Sequence, residues 1–330
     1  MRRSTGESAL MGIHHITAIA SDPQRNVDFF VGVLGLRLVK RTVNFDSPDV
    51  HHLYYGDESG TPGTILTFFP FQDAGRGKRG AGEVGSVAFH LPPAARDYWI
   101  HRLSQHGISF QGPVRRFGEE LISFEDPDGL SIDFVFSHSE RANHAWADGP
   151  VPPEHSVRGF AGATLLLRDS SQTETMLQTV LGFQPAGSEG ERKRFLLGDG
   201  DLVAAVDLVI DPKSPPARPG AGSIHHIAWR VSGYDHQADW RTRIAEAGHS
   251  VTDIVDRQYF KSVYFHEPGG VLFEIATDEP GFTVDEPKEA LGTTLKLPPW
   301  LELHRRQLER VLPPIDNSLS RHSQQQTVVN

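Results

Sequence analysis

The chain has 330 residues, of which 38% are hydrophobic and 22% are charged, a composition typical of a globular protein long enough for two domains. Its formal net charge of -10 argues against nucleic-acid binding, which relies on clustered Lys and Arg. The absence of cysteine excludes disulfides and thiolate metal ligands, and it favours a reducing, cytoplasmic location.

Neither an export signal nor a membrane span is expected. Arg2-Arg3 resembles a twin-arginine opening, but the apolar stretch that an export signal needs is absent from Glu7 to His15. No window approaches the ~18 apolar residues that cross a bilayer. We therefore expect no membrane partner.

One unit of a strand, a helix and closing strands recurs along the chain, and its first two copies fill the N-terminal half. Copy one, about residues 12–75, begins with GIHHITAIASD, has a helix that ends at Gly35, and closes with ESGTPGTILTFF. Copy two, about residues 82–138, has a helix that ends at Gly107 and closes with ISFEDPDGLSIDFVF. Glycine after the helix and a tight Asp-Pro-Asp-Gly turn are typical of such a βαβββ module.

Two further copies follow in the C-terminal half. Copy three, about residues 157–210, begins with GATLLLRD and has a helix that ends at Gly182; its closing turn within FLLGDGDLVAAVDLV is the least regular. Copy four, about residues 222–280, begins with GSIHHIAWRV, has a helix that ends at Gly248, and closes with VYFHEPGGVLFEIA. Repetition at this scale indicates one supersecondary unit used four times.

The predicted fold is α+β, with four βαβββ modules that pair into two half-open β-barrels. We predict an N-terminal domain over 1–150, a C-terminal domain over 151–280, and a C-terminal extension over 281–330 whose polar end is frayed. Segments 140–157 and 211–220 are rich in Pro, Gly and charge and are predicted linkers. A homo-oligomer is compatible with this sequence.

The candidate metal ligands occupy equivalent positions when the four copies are aligned on their first strands and closing turns. In copies one to four the first strand offers, at one equivalent position, His15, Ser86, Gly162 and His226. The closing strand offers Thr67, Asp133 and Glu274 in copies one, two and four. Pairing copy one with copy four assembles two imidazoles and one carboxylate. Pairing copies two and three leaves a solitary carboxylate, which predicts a vestigial pocket.

Two His and one carboxylate on three strands are typical of non-haem Fe(II) oxygenases, which keep coordination positions free for substrate and O₂. We therefore predict one metal ion per chain, Fe(II) with Mn(II) as the alternative, bound by His15, His226 and Glu274. A lone His at a strand start is more often structural. Two equivalent HH pairs and a matched Glu favour the metal site instead.

The segments that carry these residues resemble the hydroquinone-type ring-cleaving dioxygenases of the vicinal oxygen chelate superfamily, which also includes glyoxalases, bleomycin resistance proteins and extradiol dioxygenases. The resemblance runs from about Gly12 to Trp300. It is carried by GIHHITAIASDPQRNVDFFVGVLGLRLVKRTVNFD, the GTPGT turn, DRQYFKSVYFHEPGGVLFEIATDEPGF and LGTTLKLPPWLE. It implies the vicinal oxygen chelate fold and Fe(II) binding by the second His of each HH pair and the closing-strand Glu, which are again His15, His226 and Glu274.

The resemblance also implies catalytic residues around the metal. These are His14, Thr17, His225, Arg257 and Tyr264. Strict strand alternation turns the two His away from the metal unless a bulge intervenes, and their alternative role is hydrogen bonding between strands. The alternative for Arg257 is a surface ion pair, and for Tyr264 a strand aromatic with its hydroxyl in water.

A third HH pair, His51 and His52, has no partner at the equivalent place in copy four, so metal binding is not expected there. His52 is expected to line the pocket because it shares a strand face with Tyr54.

The predicted activity is Fe(II)-dependent cleavage of a dihydroxylated aromatic ring, of hydroquinone or catechol type, with insertion of both atoms of O₂. Its partners are the small aromatic substrate and O₂, and the expected role is degradation of aromatic compounds. One alternative is a glyoxalase-like isomerase, which typically has a second carboxylate where this chain has Thr67. Another is a non-catalytic small-molecule-binding protein of the same superfamily, which needs no metal triad.

Overall fold

The structure, a computed structural model, describes residues 9–138, 144–198 and 203–318. Four features discussed above lie wholly or partly outside these residues: the Arg2-Arg3 motif, the start of the first linker, the closing turn of copy three and the polar end of the tail. Across the described ranges, no helix is long and apolar enough to span a membrane.

Each copy contributes four strands. Copy one forms β1 Ile13–Ala20, β2 Arg37–Asn44, β3 Ser47–Gly56 and β4 Ile65–Pro70. Copy two forms β5 Glu83–Leu91, β6 Phe110–Arg116, β7 Glu119–Glu125 and β8 Ser131–Phe136. Copy three forms β9 Phe160–Leu167, β10 Gln184–Glu189, β11 Arg192–Leu197 and β12 Ala204–Ile210. Copy four forms β13 Ile224–Val231, β14 Val255–Asp256, β15 Lys261–His266 and β16 Leu272–Thr277.

A helix follows the first strand of every copy. The helices are α1 Pro23–Val27, α2 Arg96–Gln105, α3 Ser171–Thr175 and α4 Tyr234–Glu246. The first and third continue into π-helical turns, Asp28–Val33 and Met176–Val180. Gly35 follows the first of these turns with φ +70°, and a Cβ there would lie 2.5 Å from Cγ2 of Val151. Glycine therefore satisfies both the left-handed backbone and the close packing against the segment before copy three.

The strands form two eight-stranded sheets, each built from two copies. The first has the order β14-β15-β16-β13-β1-β4-β3-β2, and the second β10-β11-β12-β9-β5-β8-β7-β6. Copies one and four meet where β1 pairs antiparallel with β13, and copies two and three meet where β5 pairs with β9. The predicted fold of four βαβββ modules in two half-barrels is confirmed. The predicted domain boundary at residue 150 stays a prediction. Each sheet combines one copy that precedes this residue with one copy that follows it.

Strand β1 separates core from cavity. Ile16 and Ala18 are fully buried and belong to the main hydrophobic cluster, together with Phe30 of the π-helical turn. His15 and Thr17 point to the opposite face and line a cavity. The period of two residues in a strand thus places polar side chains on the concave face of the half-barrel.

The C-terminal extension packs against copy one. It contains 3₁₀ turns at Phe282–Val284, Lys288–Ala290 and Glu302–His304, and the helix α5 Arg305–Val311. Lys40 of β2 is fully buried, with its Nζ 2.6 Å from a carboxylate oxygen of Asp285 and 2.5 Å from one of Glu286. This buried ion-pair cluster fixes the extension beside the sheet that carries all three HH pairs.

Candidate metal centre

Three side chains converge at the centre of the first sheet. Nε2 of His226 lies 2.9 Å from Oε2 of Glu274 and 3.2 Å from Nε2 of His15, and Nε2 of His15 lies 3.5 Å from Oε2 of Glu274. Ligands bound to one ion at about 2.0–2.2 Å lie roughly 3 to 3.5 Å apart. Within the described residues, this is the one group of three or more His, Asp or Glu side chains close enough to share a metal ion.

The sheet register brings these ligands together although they are far apart in sequence. His15 lies on β1 and His226 on the antiparallel neighbour β13, where Thr17 pairs with His226. Glu274 lies on β16, parallel to β13, opposite Ala228. The two His are therefore related by the pseudo-two-fold axis between copies one and four, and Glu274 comes from the next strand.

Glu274 is fully buried and has one oxygen available to a metal. Ser262 Oγ donates a 2.5 Å hydrogen bond to Oε1. No described residue donates a well-aligned hydrogen bond to Oε2, which is also buried. Burial raises the pKa of Glu274, but His15 and His226 lower it more, so that the pKa lies well below its ordinary value. A buried anionic oxygen between two imidazoles fits a divalent cation.

The first His of each HH pair contacts the second through its ring. Nδ1 of His14 lies 2.9 Å from Nδ1 of His15, and Nδ1 of His225 lies 2.7 Å from Nδ1 of His226. Nε2 of each second His is thereby left facing the site. Burial lowers the pKa of His14 well below its ordinary value. Burial and the neighbouring His226 lower the pKa of His225 to about 4. Both rings are therefore neutral and can accept a hydrogen bond.

The two HH pairs are not equally exposed to the cavity. His225 lines it, whereas His14 is 2% exposed and packs its ring 5.2 Å from that of Phe260. Strand β1 has a register shift between Ile13 and His15. Strict alternation is therefore broken at this point by a local bulge.

A cavity of about 490 Å³ opens beside His15 and His226, which form part of its wall. Its walls are largely aromatic and include Phe45, Phe69, Phe71 and Phe260, and the ring of Phe260 lies 4.8 Å from that of His15. The size and walls suit a flat aromatic molecule next to the candidate metal ligands.

Arg257 and Tyr264 line the same cavity and contact each other. Nε of Arg257 donates a 3.1 Å hydrogen bond to the hydroxyl of Tyr264, and a terminal nitrogen of Arg257 lies 2.9 Å from the Asp46 carboxylate. Burial lowers the pKa of Arg257, but Tyr264 and Asp46 raise it more, and the net shift is upward. Burial also raises the pKa of Tyr264, which keeps its hydroxyl protonated. A cation and a fixed phenol thus face any molecule in the cavity.

The register position of Glu274 recurs in the other three copies. Tyr264 of β15 pairs with Glu274, and Tyr54 of β3 pairs with Thr67. The equivalent pairs in copies two and three are Ser123 with Asp133 and Arg194 with Asp207. The expectation of a solitary carboxylate in copies two and three was wrong, since Asp207 is a second one. The sequence before Asp207 lacks an Asp-Pro-Asp-Gly type of turn, so the register of copy three could not be counted.

The second half-barrel also contains a cavity, of about 280 Å³, but its carboxylates are paired with guanidinium groups. Asp133 lies 2.9 Å from Arg116 and accepts from Ser123 at 2.5 Å. Asp207 lies 2.8 Å from Nε of Arg194 and 3.1 Å from Arg192. Ser86 and Gly162 stand at the strand positions of the two His ligands, and the guanidinium groups balance the charge of both carboxylates without a metal ion.

Comparisons with known proteins agree with this architecture. Residues 12–134 and 162–275 match the family described as Glyoxalase/Bleomycin resistance protein/Dioxygenase superfamily. The chain is 45% identical over 306 residues to the Bacillus subtilis protein named "Putative ring-cleaving dioxygenase MhqO", covering 93% of this chain and 97% of that protein. It is 36% identical over 309 residues to "Chlorohydroquinone/hydroquinone 1,2-dioxygenase" of Sphingobium indicum, covering 91% and 95%.

Solved structures show the same relationship. The crystal structure titled as a putative dioxygenase from Bacillus subtilis superposes with a TM-score of 0.90 at 44% identity, covering 94% of this chain and 99% of that one. Glyoxalase I from Zea mays superposes with a TM-score of 0.60 at 12% identity, covering 81% and 92%, which shows a shared fold.

Proposed function

Because the chain belongs to the glyoxalase/bleomycin resistance protein/dioxygenase superfamily, we propose that it is a hydroquinone-type ring-cleaving dioxygenase that uses Fe(II) held by His15, His226 and Glu274. The observation that carries the proposal is the buried group of two His and one carboxylate, in which both His line an aromatic cavity. The names of relatives that align over nearly the whole chain support ring cleavage as the reaction and a hydroquinone as the substrate class.

The three ligands supply one negative charge, from Glu274, to a divalent ion. Fe(II) bound there, or Mn(II) as the alternative, would provide a redox-active centre with positions for the ring oxygen and O₂. The site would keep a net positive charge, which favours a substrate hydroxyl bound in its ionised form. His14 and His225 would hold the ligand imidazoles through their Nδ1 atoms.

The cavity walls would orient the ring. Phe69 and Phe260 present aromatic surface that excludes water and restricts a flat substrate to one plane. Arg257 fixes the Tyr264 hydroxyl, so this phenol can hydrogen-bond an oxygen of the substrate next to the metal ligands. Thr17 lies on the same strand face as His15 and adds a hydroxyl to this wall.

A glyoxalase-like isomerase is the main competing function. In copy one, the position equivalent to Glu274 holds Thr67, whose hydroxyl lies 2.8 Å from that of Thr17. A second carboxylate is therefore absent from this described position, which disfavours the isomerase. The buried triad likewise disfavours a binding protein that needs no metal.

Measurement of O₂ uptake tests the proposal. Protein loaded anaerobically with Fe(II) should consume O₂ with a hydroquinone and should not isomerise the hemithioacetal of glutathione. Isomerisation without O₂ uptake with any diphenol would contradict the proposal. Cytoplasmic location and a role in the degradation of aromatic compounds remain part of the proposal; the cysteine-free sequence supports the former.

A further inference from the structure

A chain of hydrogen bonds crosses the wall of the cavity on the side of copy one. The Thr17 hydroxyl lies 2.8 Å from that of Thr67, Nε2 of His52 lies 2.9 Å from the Thr67 hydroxyl, and Nδ1 of His52 lies 2.9 Å from the hydroxyl of Tyr54. Both ring nitrogens of His52 are thus engaged. The Tyr54 hydroxyl has one such partner and retains capacity for another hydrogen bond.

Tyr54 is the pseudo-two-fold counterpart of Tyr264. Tyr264 pairs with Glu274, and Tyr54 pairs with Thr67 at the equivalent position of copy one. The strand order places β15 and β3 on opposite flanks of the strands that carry the candidate metal ligands. Two tyrosines therefore line one cavity from opposite sides of the triad.

The two tyrosines differ in their hydrogen-bond partners. The Tyr264 hydroxyl accepts from Arg257, and its ring lies 5.8 Å from that of the candidate ligand His226. The Tyr54 hydroxyl is bonded to the uncharged end of a His–Thr chain, and its ring is held against those of Phe260 and Phe282. Tyr264, beside a cation, thus suits an anionic oxygen, whereas Tyr54, beside an uncharged chain, suits a neutral hydroxyl.

In a 1,4-dihydroxybenzene the second hydroxyl is across the ring from the first. A metal ion that holds one oxygen cannot reach the other, whereas in a 1,2-dihydroxybenzene both oxygens can bind the same ion. Recognition of a 1,4-substrate therefore requires a polar side chain across the cavity. An apolar wall there would leave the second hydroxyl without a partner.

We propose that Tyr54 binds the second, para hydroxyl of the substrate and that His52 is the positioning residue that fixes the Tyr54 hydroxyl. This inference rests on the proposed function and names a specificity-determining residue for it. Tyr54 is 1% exposed and His52 is held at both ring nitrogens, so the hydroxyl has little freedom to turn away. A fixed polar group of this kind favours ligands that carry the matching hydroxyl.

Binding measured without O₂ tests this inference. Fe(II)-loaded protein is titrated anaerobically with hydroquinone and with phenol, which lacks the para hydroxyl. We expect the wild type to bind hydroquinone about 3- to 10-fold more tightly, the size of one neutral hydrogen bond. Tyr54→Phe should lose this preference by weakening hydroquinone binding and leaving phenol binding unchanged.

Tyr55→Phe is the matched control. Tyr55 follows Tyr54 in β3, but its hydroxyl bonds the Asn26 side chain at 2.8 Å and it belongs to the main core. This variant removes a buried tyrosine hydroxyl from the same strand outside the cavity, and it should keep the preference for hydroquinone. Retention of the preference in Tyr54→Phe, or its absence in the wild type, would overturn the inference.

A second variant keeps the test decisive if Tyr54→Phe does not fold. His52→Gln leaves the Tyr54 phenol in place but removes the ring that fixes it, so the hydroquinone preference should fall, and in turnover KM for hydroquinone should rise more than kcat falls. An unchanged preference would contradict the positioning role. Because binding is measured without O₂, these outcomes are separate from those of the O₂-uptake experiment, whose failure would count against the proposed function itself.

Discussion

Glu274 and Asp207 occupy the same register position in two copies of one structural unit, but only Glu274 lies beside imidazoles. Glu274 is 2.9 Å from Nε2 of His226, whereas Asp207 is 2.8 Å from Nε of Arg194. One fold thus supports two different buried charge arrangements. In one, a carboxylate and two His can share a metal ion, and in the other, guanidinium groups already neutralise the carboxylates.

The first prediction concerns Glu274 and its counterpart Asp133. Glu274→Gln keeps the size of the side chain but removes the ligand charge, so the affinity for Fe(II) should fall by at least about 10- to 100-fold. Asp133→Asn should leave metal affinity unchanged and alter stability by no more than about 0.5–3 kcal/mol. Metal content after reconstitution and thermal denaturation measure the two effects. Full iron content in Glu274→Gln, with loss of iron in a folded Asp133→Asn, would contradict the proposed site.

The second prediction concerns the side chains that hold the ligand imidazoles. His14→Phe keeps a buried ring but removes the Nδ1 partner of His15, and we expect metal affinity to fall about 10-fold. His51→Phe is the control, because His51 is equally buried but contacts the carbonyl oxygen of Pro313. Metal titration should show weaker Fe(II) binding in His14→Phe and unchanged binding in His51→Phe. Equal affinities would mean that the His14 contact does not position His15.

The third prediction concerns the ion pairs of the second half-barrel. Arg194→Leu leaves the buried Asp207 carboxylate with fewer partners, and the free energy of unfolding should fall by about 1–3 kcal/mol. The double variant Arg194→Leu/Asp207→Leu should recover only part of that loss, because it removes the unpaired carboxylate but also takes away the Asp207 partner of Arg192. Urea denaturation measures both. Loss of iron from either folded variant would contradict the assignment of the metal ligands to the first half-barrel alone.

The fourth prediction concerns pH. Burial raises the pKa of Asp126 to about 7, although its Oδ1 accepts hydrogen bonds from the backbone N–H groups of Asp128 and Leu130. In the unfolded chain this carboxyl titrates near pH ~3.9. The folded state therefore holds the proton more tightly, and stability from this group is greatest below about pH 4 and is lost as the pH rises through about 7.

Asp126→Asn removes this titration and keeps an oxygen acceptor. The free energy of unfolding of the variant should fall less steeply between about pH 4 and 7 than that of the wild type. Asp97→Asn is the control, because its side chain is 81% exposed. Denaturation at a series of pH values compares the slopes. Identical slopes for the wild type and Asp126→Asn would show that Asp126 does not couple folding to pH.

Much of this arrangement was predictable because local signals fix the register of each copy. Gly35 ends the first helix, and the Glu-Pro-Gly-Gly turn sets the distance to Glu274, so equivalent positions can be counted from the sequence. These signals predict Glu274 on the strand beside the first strand of copy four. They also predict the pairing of copy one with copy four.

Other features depend on backbone details that have no sequence signal. The register shift between Ile13 and His15 affects where His14 points, and a bulge of this kind is not marked by Gly or Pro. No Asp-Pro-Asp-Gly type of turn precedes Asp207 in the sequence, so its register could not be counted. The hydrogen-bond chain from Thr17 to Tyr54 forms only when β1, β4 and β3 are in register. This register is a property of the folded sheet.

The most direct test of the central claim is one turnover of the Fe(II)-loaded protein with hydroquinone under isotopically labelled O₂, followed by mass spectrometry of the rapidly quenched product. Ring cleavage at the His15, His226 and Glu274 centre predicts a ring-opened product that contains both labelled oxygen atoms, and Glu274→Gln should form little of it. An intact ring, or a ring-opened product with no labelled oxygen, would contradict the account.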